Sequence, residues 1–530
     1  MNFRLVLQRA KAMSSRTIAA ACSLLFLVVC AAFWFELSSR KLSAVFSIVA
    51  ILVMAGSYLL LRRMTESKAS SSHLFLYALI SLGLLFSAVF PPLSAPDEDF
   101  HFSASYVLSN FMMGKGYQND DPVPMRESDA QLYYESAANV NLTASDYDLA
   151  ISDLSQPLDS SSSEVQVITG RSHWISGNLP QSKIASALGI TLARLLNLGP
   201  YYLYQLGRLC NLALYIALVY VAFKIAPIGR NVIATVSLLP MSLHLAASYS
   251  YDAFIIPMAI LLTALCLRSI FRTDGIANSE CVQIVLVAAL LAPCKVIYTM
   301  VALLALFIPR KRFDSRKHEL AVKLGCIAIV AMVLLGGRAL DSYMHSVNSV
   351  QAPSDGLDYR GEQSGHFYTV GDILSSPLRF AYLFFHTFDC YGYQYLQRMV
   401  GGSLAWFQTE IASPDLFVFA FGVLLLLACV SSDDDEGRLS AGARMLGVLV
   451  FGVGVLLVML SMLLSFTFNT ETIISGVQGR YFLPYLPWFM LSLRGDKIRV
   501  AGSLQPFLIE SVLLLNLYNL IRIFAIALTL

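Results

Sequence analysis

The stretch "LFLYALISLGLLFSAVFPPLSAPDEDFHF" (residues 74–102) joins an apolar run to a compact group of ionisable residues. The apolar part is about as long as a helix needs to cross a bilayer core of about 30 Å. Two prolines end the run, and the residues that follow include Asp97, Glu98, Asp99 and His101. This order predicts a membrane-spanning helix that delivers acids and a histidine to the membrane surface.

Comparable apolar runs recur along the chain. Of its 530 residues, 56% are hydrophobic and 14% are charged, against about 45–50% and about 25% in soluble proteins. The runs are continuous rather than alternating, which favours helices over the strands of a barrel. We therefore predict an all-α polytopic membrane protein with about 11–13 transmembrane helices and no nucleic-acid partner.

Lysine and arginine residues set the predicted orientation, because cytoplasmic loops carry an excess of them. The basic N-terminus and "RRMTESK" (62–68) are assigned to the cytoplasm. The first run, 18–37, lacks a small-residue cleavage site and is followed at once by a second run, 42–61, so it is interpreted as an anchor. Residues 93–183 then form a large outer loop, in part a small helical subdomain, and its thirteen acidic against four basic residues agree with that position.

The rest of the chain is divided between further spans and surface segments. Spans are predicted at roughly 203–223, 231–249, 253–270, 321–340, 411–430, 443–466, 480–493 and 503–527. Residues 184–198 are amphipathic, and residues 373–396 are aromatic, so both are predicted to lie along the membrane surface rather than to cross it.

The apolar run at 281–309 requires a different path. It begins on the cytoplasmic side and is followed by "RKRFDSRKH" (310–318), a strongly basic segment that also belongs there. The run is interrupted at Pro293-Cys294-Lys295, and such breaks are tolerated at membrane depth where protein surrounds them or where they line a cavity. We therefore predict a broken-helix hairpin of two short helices with Lys295 near its outer apex.

Four features then share the outer face: the acidic pair Asp97 and Glu98, together with Asp252, Lys295 and Arg480. Ionisable residues at such positions are costly and are candidates for function. Carboxylates there could take a proton from an attacking nucleophile. The cations could stabilise an anionic leaving group such as phosphate.

Structural alternatives exist for each residue. Asp97 could cap the helix that follows it, and Asp252 could do the same for the next span. Lys295 and Arg480 could be interfacial anchors whose charged ends reach water. His101 lies four residues after Asp97, so on a helix it could orient that carboxylate or join it as a metal ligand.

Four blocks together resemble a bacterial membrane family catalogued as domain of unknown function 2142. They are "PPLSAPDEDFH" (91–101), "LLPMSLHLAASYSYDA" (238–253), "KVIY" (295–298) and "GVQGRYFLPYLP" (476–487). The family is similar to the C-type glycosyltransferases, and the resemblance extends from about residue 74 to residue 495. It implies a catalytic membrane domain like that of the C-type enzymes (74–495), in the bacterial cytoplasmic membrane. The apolar runs on either side add an N-terminal helix pair (1–73) and a C-terminal helix (496–530).

The resemblance implies transfer of a sugar from a polyprenyl-phosphate donor to an envelope glycan or lipid acceptor on the extracytoplasmic face. By position, Asp97 is the first candidate for catalytic base and Glu98 the second, while Arg480 and Lys295 would hold the donor phosphate. His101, Asp252, Gln478 and Tyr481 would support them. Whether Asp97, Glu98 and His101 also bind a divalent cation, Mg²⁺ or Mn²⁺, is left open. The chain departs from many C-type enzymes, because two spans rather than one precede the helix of the acidic pair.

Two other classes compete with an enzyme. A transporter or flippase for a lipid-linked glycan could use the same cations for binding and the acids as a proton relay, although the sequence has no internal repeat of the kind many transporters contain. A noncatalytic envelope-assembly component would not need the outer acids. The sequence has neither a P-loop nor a G-x-G-x-x-G motif that opens a helix, which agrees with a lipid-linked rather than a nucleotide donor.

Overall fold

A computed structural model describes most of the chain. The described residues are 43–115, 122–137, 141–161, 163–169, 180–272, 274–294, 296–347, 367–435, 437–495 and 498–530, without the side chains of 43–51, 293, 296 and 333–347. The predicted first span, 18–37, and Lys295 lie outside the described residues.

The described residues are mainly helical. Numbered in chain order, the helices are α1 (Ser43–Glu66), α2 (Ser71–Val89), α3 (Glu98–Met112), α4 (Glu127–Ala137), α5 (Ala144–Leu154), α6 (Ile184–Leu195), α7 (Pro200–Ile225), α8 (Arg230–Ser237), α9 (Pro240–Ala246), α10 (Asp252–Phe271), α11 (Asn278–Leu291), α12 (Arg316–Val347), α13 (Val370–Ser375), α14 (Pro377–Val400), α15 (Asp415–Ala428), α16 (Ala441–Phe466), α17 (Leu486–Leu493) and α18 (Gln505–Ala527). The strands are β1 (Val123–Arg126), β2 (Glu164–Val167), β3 (Ser431–Ser432) and β4 (Arg499–Val500).

Several of these helices have the length and composition of membrane spans. In the described part of the chain, five helices qualify: α2, α7, α10, α16 and α18. The helices α6, α11 and α15 are shorter but also apolar. The predicted all-α polytopic membrane class is therefore confirmed, while the number of 11–13 transmembrane helices stays a prediction.

Proline interrupts one of the segments that were predicted as single spans. The segment 231–249 is instead divided into α8 and α9, because Pro240 lacks an N–H and its ring clashes with a preceding helical turn. The segment 480–493 consists of a 3₁₀ helix, Gly479–Tyr485, followed by the two-turn helix α17. The prediction of an unbroken span is therefore wrong for 231–249, whereas 480–493 belongs to one continuous helical segment that changes from 3₁₀ to α at Leu486.

Side chains satisfy the carbonyl groups that the break between α8 and α9 exposes. Asn516 of α18 donates to the carbonyl of Leu238 at 3.0 Å. The hydroxyl of Tyr215 in α7 donates to the carbonyl of Ser237 at 2.9 Å. Broken helices at membrane depth require such partners, since lipid offers none.

The segment that was predicted as a hairpin returns to the place where it began. The backbone N–H of Ile276 donates to the carbonyl of Arg312 at 2.7 Å, so the two ends of the segment meet. Helix α11 forms the first arm, and the second arm is a 3₁₀ helix over Val296–Phe307 rather than an α-helix. The hydroxyl of Tyr485 donates to the carbonyl of Ile297, which ties the second arm to the start of α17.

The described residues of the predicted outer loop contain three short helices, α3, α4 and α5, and one small sheet. Strands β1 and β2 pair antiparallel, with Val123 opposite Val167. This sheet was not predicted from the sequence. The ring of Phe102 in α3 stacks on Tyr204 of α7 with centroids 4.0 Å apart, and it meets Tyr249 edge-on at 5.1 Å. These aromatic contacts fix α3 against the membrane helices and thereby fix the acidic residues at its start.

Candidate functional site

Asp97 immediately precedes helix α3 in an uncommon backbone conformation. Its φ and ψ are 60° and 19°, in the left-handed region, which aspartate tolerates better than most residues. The carboxylate makes no capping hydrogen bond to α3. It instead accepts a 2.8 Å hydrogen bond from Nη2 of Arg480, and the Asp97 side chain is 37% exposed. The structure therefore does not support the capping alternative for Asp97.

Arg480 is buried between two carboxylates. Besides Asp97, its Nη1 lies 3.7 Å from Oδ2 of Asp252 and donates to the carbonyl of Pro96 at 3.4 Å. The Arg480 side chain is 1% exposed, and so is that of Asp252. An arginine so enclosed is not an interfacial anchor with its charge in water. The fold thus brings three sequence-predicted residues, Asp97, Asp252 and Arg480, into one cluster.

The backbone next to Arg480 allows close packing. Gly479 lies against helix α14, where an added Cβ would overlap the carbonyl oxygen of Tyr395 and come 2.7 Å from the backbone nitrogen of Met399. Backbone atoms of a helix cannot yield to such an overlap. Glycine at this position therefore permits the approach that sets the position of Arg480.

Glu98 faces away from the Asp97 pair and is fully buried. Its two carboxylate oxygens accept hydrogen bonds from the backbone N–H groups of Ala95 and Tyr249, each at 3.0 Å. Its Oε1 also lies 3.7 Å from Nε of Arg208. Burial raises the pKa of Glu98, while Arg208 and the two N–H groups oppose that rise. This arrangement joins the start of α3 to the turn that precedes α10.

Two buried cations near this cluster were missed as site residues from the sequence. Arg208, in helix α7, donates to the carbonyls of Ala247 at 2.6 Å and Phe90 at 2.8 Å. Lys183 donates to the carbonyl of Tyr249 at 3.1 Å and is 2% exposed. Burial lowers the pKa of Lys183, and Asp252 is the strongest opposing influence. Arg208 could have been identified from the sequence, because an arginine within the apolar run 203–223 is costly and therefore a candidate for function. Lys183 lies at the end of the predicted outer loop, where a lysine is not unusual.

The supporting residues surround the cluster on two sides. The buried ring of His101 meets the Tyr251 ring edge-on, with centroids 4.6 Å apart. The guanidinium of Arg480 lies 5.4 Å from the centre of the Tyr481 ring. The buried Oε1 of Gln478 has no hydrogen-bond partner among the described residues. A polar group of this kind could bind a ligand next to Arg480.

The described residues do not fit the metal site considered from the sequence. Among them, no group of three or more His, Cys, Asp or Glu side chains is close enough to hold a metal ion. Both oxygens of Glu98 are engaged by backbone N–H groups, so its carboxylate faces a different set of partners from that of Asp97. We derive no catalytic step through a metal.

Comparison with known proteins places the chain in one family. The family model DUF2142, described as a predicted membrane protein, matches residues 79–489. No curated protein and no solved structure matches the chain. Since the matched region covers most of the 530 residues, the chain belongs to the DUF2142 family of predicted membrane proteins.

Proposed function

We propose that this protein is a membrane glycosyltransferase of the C type. It transfers a sugar from a polyprenyl-phosphate donor to an envelope glycan or lipid acceptor on the extracytoplasmic face. The observation that carries the proposal is the pair formed by Asp97 and Arg480, in which a partly exposed carboxylate meets a buried guanidinium. A proton acceptor and a phosphate-binding cation are the two groups that such a transfer needs side by side.

In the proposed reaction, Asp97 is the general base. The acceptor hydroxyl oxygen attacks the anomeric carbon of the donor sugar while its proton passes to the Asp97 carboxylate. The bond from that carbon to the phosphate oxygen breaks, and its electron pair leaves on the phosphate. A single displacement of this kind inverts the anomeric configuration.

Arg480 is the proposed partner of the donor phosphate. A guanidinium can bind phosphate through two parallel N–H groups, as it binds a carboxylate. A bound phosphate would compete with Asp97 for Arg480, and the carboxylate released from that ion pair would be free to accept the proton of the acceptor hydroxyl. Asp252, 3.7 Å from the guanidinium, would keep Arg480 in place during the exchange. Lys295 remains a proposed second phosphate ligand.

Glu98 is the less suitable base. Its carboxylate is fully buried and is held by two backbone N–H groups. An acceptor sugar could reach it only if the turn between Ala95 and Glu98 opened. We therefore propose that Glu98 positions Asp97, while Asp97 is the catalytic residue.

The buried ionisable groups also favour a second candidate function. Lys183, Arg208 and Glu98 form the kind of enclosed charged network that proton-coupled carriers use. A flippase for a lipid-linked glycan would bind the same phosphate near Arg480 and move the intact lipid. The two functions differ in whether a glycosidic bond is made.

The proposal can be tested with purified full-length protein, synthetic polyprenyl-phosphate sugars and membrane glycan acceptors. We expect transfer by the wild type and at least about a hundredfold lower rate in Asp97→Asn. Arg480→Ala should weaken use of the donor, whereas Asp148→Asn, at an exposed carboxylate of helix α5, should behave as the wild type. Transfer that persists in Asp97→Asn would contradict the base assignment. No transfer with any donor, combined with lipid movement across vesicle membranes, would support the flippase.

A further inference from the structure

A cavity of about 730 Å³ lies where helices α1, α2 and α18 meet, at the opposite end of α2 from the residues that lead into the acidic cluster. It lies between the end of α1, the start of α2 and the start of α18. The basic segment 62–68 contributes to its wall, and that segment is predicted to be cytoplasmic. A volume of several hundred Å³ is the size of a small-molecule site.

One of the two cations that line the cavity forms no ion pair with a described residue. Arg62 is paired through Nη1 with both carboxylate oxygens of Glu510, at 3.1 and 3.2 Å. Lys68 also lines the cavity, and it forms no ion pair with a described residue. Arg62 also pairs through Nε with Glu66 at 3.1 Å, so Lys68 is the cation available to an incoming anion.

Hydroxyl groups provide the hydrogen-bond donors that an anion needs. Ser71, in the first turn of α2, and Ser511, in the first turns of α18, both line the cavity. Neither hydroxyl has a hydrogen-bond partner among the described residues. A lysine with hydroxyl groups around it is a suitable environment for the oxygens of a phosphate group.

The apolar part of the wall points to a lipid as the source of that phosphate. Leu74, Phe507 and Leu514 line the same cavity, and Phe507 is 54% exposed. Other aliphatic side chains of the adjoining helices are also exposed, among them Leu60 in α1 and Leu84 in α2. A headgroup could sit at Lys68 while its acyl chains follow this apolar surface.

We propose that this cavity binds the phosphate group of an anionic phospholipid. The cytoplasmic leaflet of a membrane is rich in anionic lipids, and basic pockets between transmembrane helices bind their headgroups. The site is independent of the proposed glycosyl transfer, because none of its residues belongs to the Asp97 and Arg480 cluster. A free phosphate shares the headgroup chemistry but would gain nothing from the apolar wall.

The test uses native mass spectrometry of the full-length protein in detergent, with phosphatidylglycerol, phosphatidylcholine or inorganic phosphate added. We expect the wild type to retain more phosphatidylglycerol than phosphatidylcholine. Lys68→Gln should retain roughly fivefold less phosphatidylglycerol than the wild type. Ser511→Leu, which fills the cavity without changing its charge, should also reduce retention. Arg63→Gln is the matched control, because Arg63 is exposed beside the cavity but does not line it.

Three results would overturn the proposal. Equal retention of the two phospholipids by the wild type would show no preference for an anionic headgroup. An equal loss in Arg63→Gln and Lys68→Gln would indicate general surface charge rather than this cavity. Binding of inorganic phosphate as strong as that of phosphatidylglycerol would identify a free anion as the ligand. Melting temperatures measured without added lipid establish that each variant is folded.

Discussion

Arg480 donates a 2.8 Å hydrogen bond to Asp97, although 383 residues separate them in the chain. The guanidinium is buried, while the carboxylate remains 37% exposed. One member of the pair is thus held by the fold, and the other is open to an incoming molecule. This difference in exposure is what distinguishes Asp97 from its buried neighbours Glu98 and Asp252.

The shape of the Arg480 side chain is the first property to test. Arg480→Lys keeps the positive charge but removes the planar fork that reaches Asp97, Asp252 and the carbonyl of Pro96 together. Loss of one charge-assisted hydrogen bond corresponds to about 1.5–3 kcal/mol. We expect KM for the polyprenyl-phosphate donor to rise on the order of tenfold or more, with a smaller change in kcat. Steady-state kinetics at varied donor concentration measure both, and an unchanged KM would contradict phosphate binding by Arg480.

The packing at Gly479 gives a second prediction. Gly479→Ala would force a methyl group against the backbone of Tyr395 and Met399, so the 3₁₀ helix and Arg480 must shift. We expect a lower melting temperature and loss of donor binding. Gly452→Ala is the matched control, because an added Cβ there, on helix α16, meets nothing within 4 Å. That variant should be neutral or stabilised by up to about 1 kcal/mol. Equal behaviour of the two variants would contradict the close approach at Gly479.

We expect Lys183 to make the stability of the protein dependent on pH. Its pKa is lowered by burial, so the folded state binds fewer protons than the unfolded state between that lowered pKa and the ordinary value of about 10.4. Stability should therefore rise with pH across this window, and the rise should end near the ordinary value. Melting temperatures between about pH 7 and pH 10 should rise less steeply in Lys183→Met than in the wild type. Lys224→Met, at an exposed lysine, should keep the wild-type slope, and a wild-type slope in Lys183→Met would contradict the assignment.

A substitution in a second buried ion pair should lower the stability of the protein without changing its activity. Asp435 and Arg494 lie 3.0 Å apart with both side chains fully buried, and Asp435 also accepts hydrogen bonds from the N–H groups of Gly229 and Asn231. Removing one member of such a pair leaves an uncompensated charge and costs about 3–5 kcal/mol. We expect Asp435→Asn to unfold at a clearly lower temperature. Its donor affinity and rate per folded molecule should be unchanged, since these residues lie outside the Asp97 cluster, and a selective loss of rate would show that the pair also affects the site.

Much of the architecture follows from the order of residues alone. Continuous apolar runs predict the helical membrane class, because backbone groups in lipid must bond within their own helix. The basic segment after residue 309 and the break at Pro293 predicted the hairpin, whose ends meet at Ile276 and Arg312. The prediction of a single span over 231–249 failed at Pro240, where the helix breaks. Hydropathy measures whether a segment is apolar and not whether its helix is continuous.

For the candidate site too, the sequence identifies some of the residues, and the tertiary structure decides their partners. Asp97, Asp252 and Arg480 could be named from the sequence, since ionisable residues beside apolar runs are costly and therefore conspicuous. Their partners could not be named. Whether Asp97 caps a helix or meets Arg480, and whether Glu98 is open or bound to Tyr249, depends on segments that are distant in the chain. Local order determines which groups are charged and near the membrane, whereas burial and pairing, which set their chemistry, exist only after the distant helices have packed.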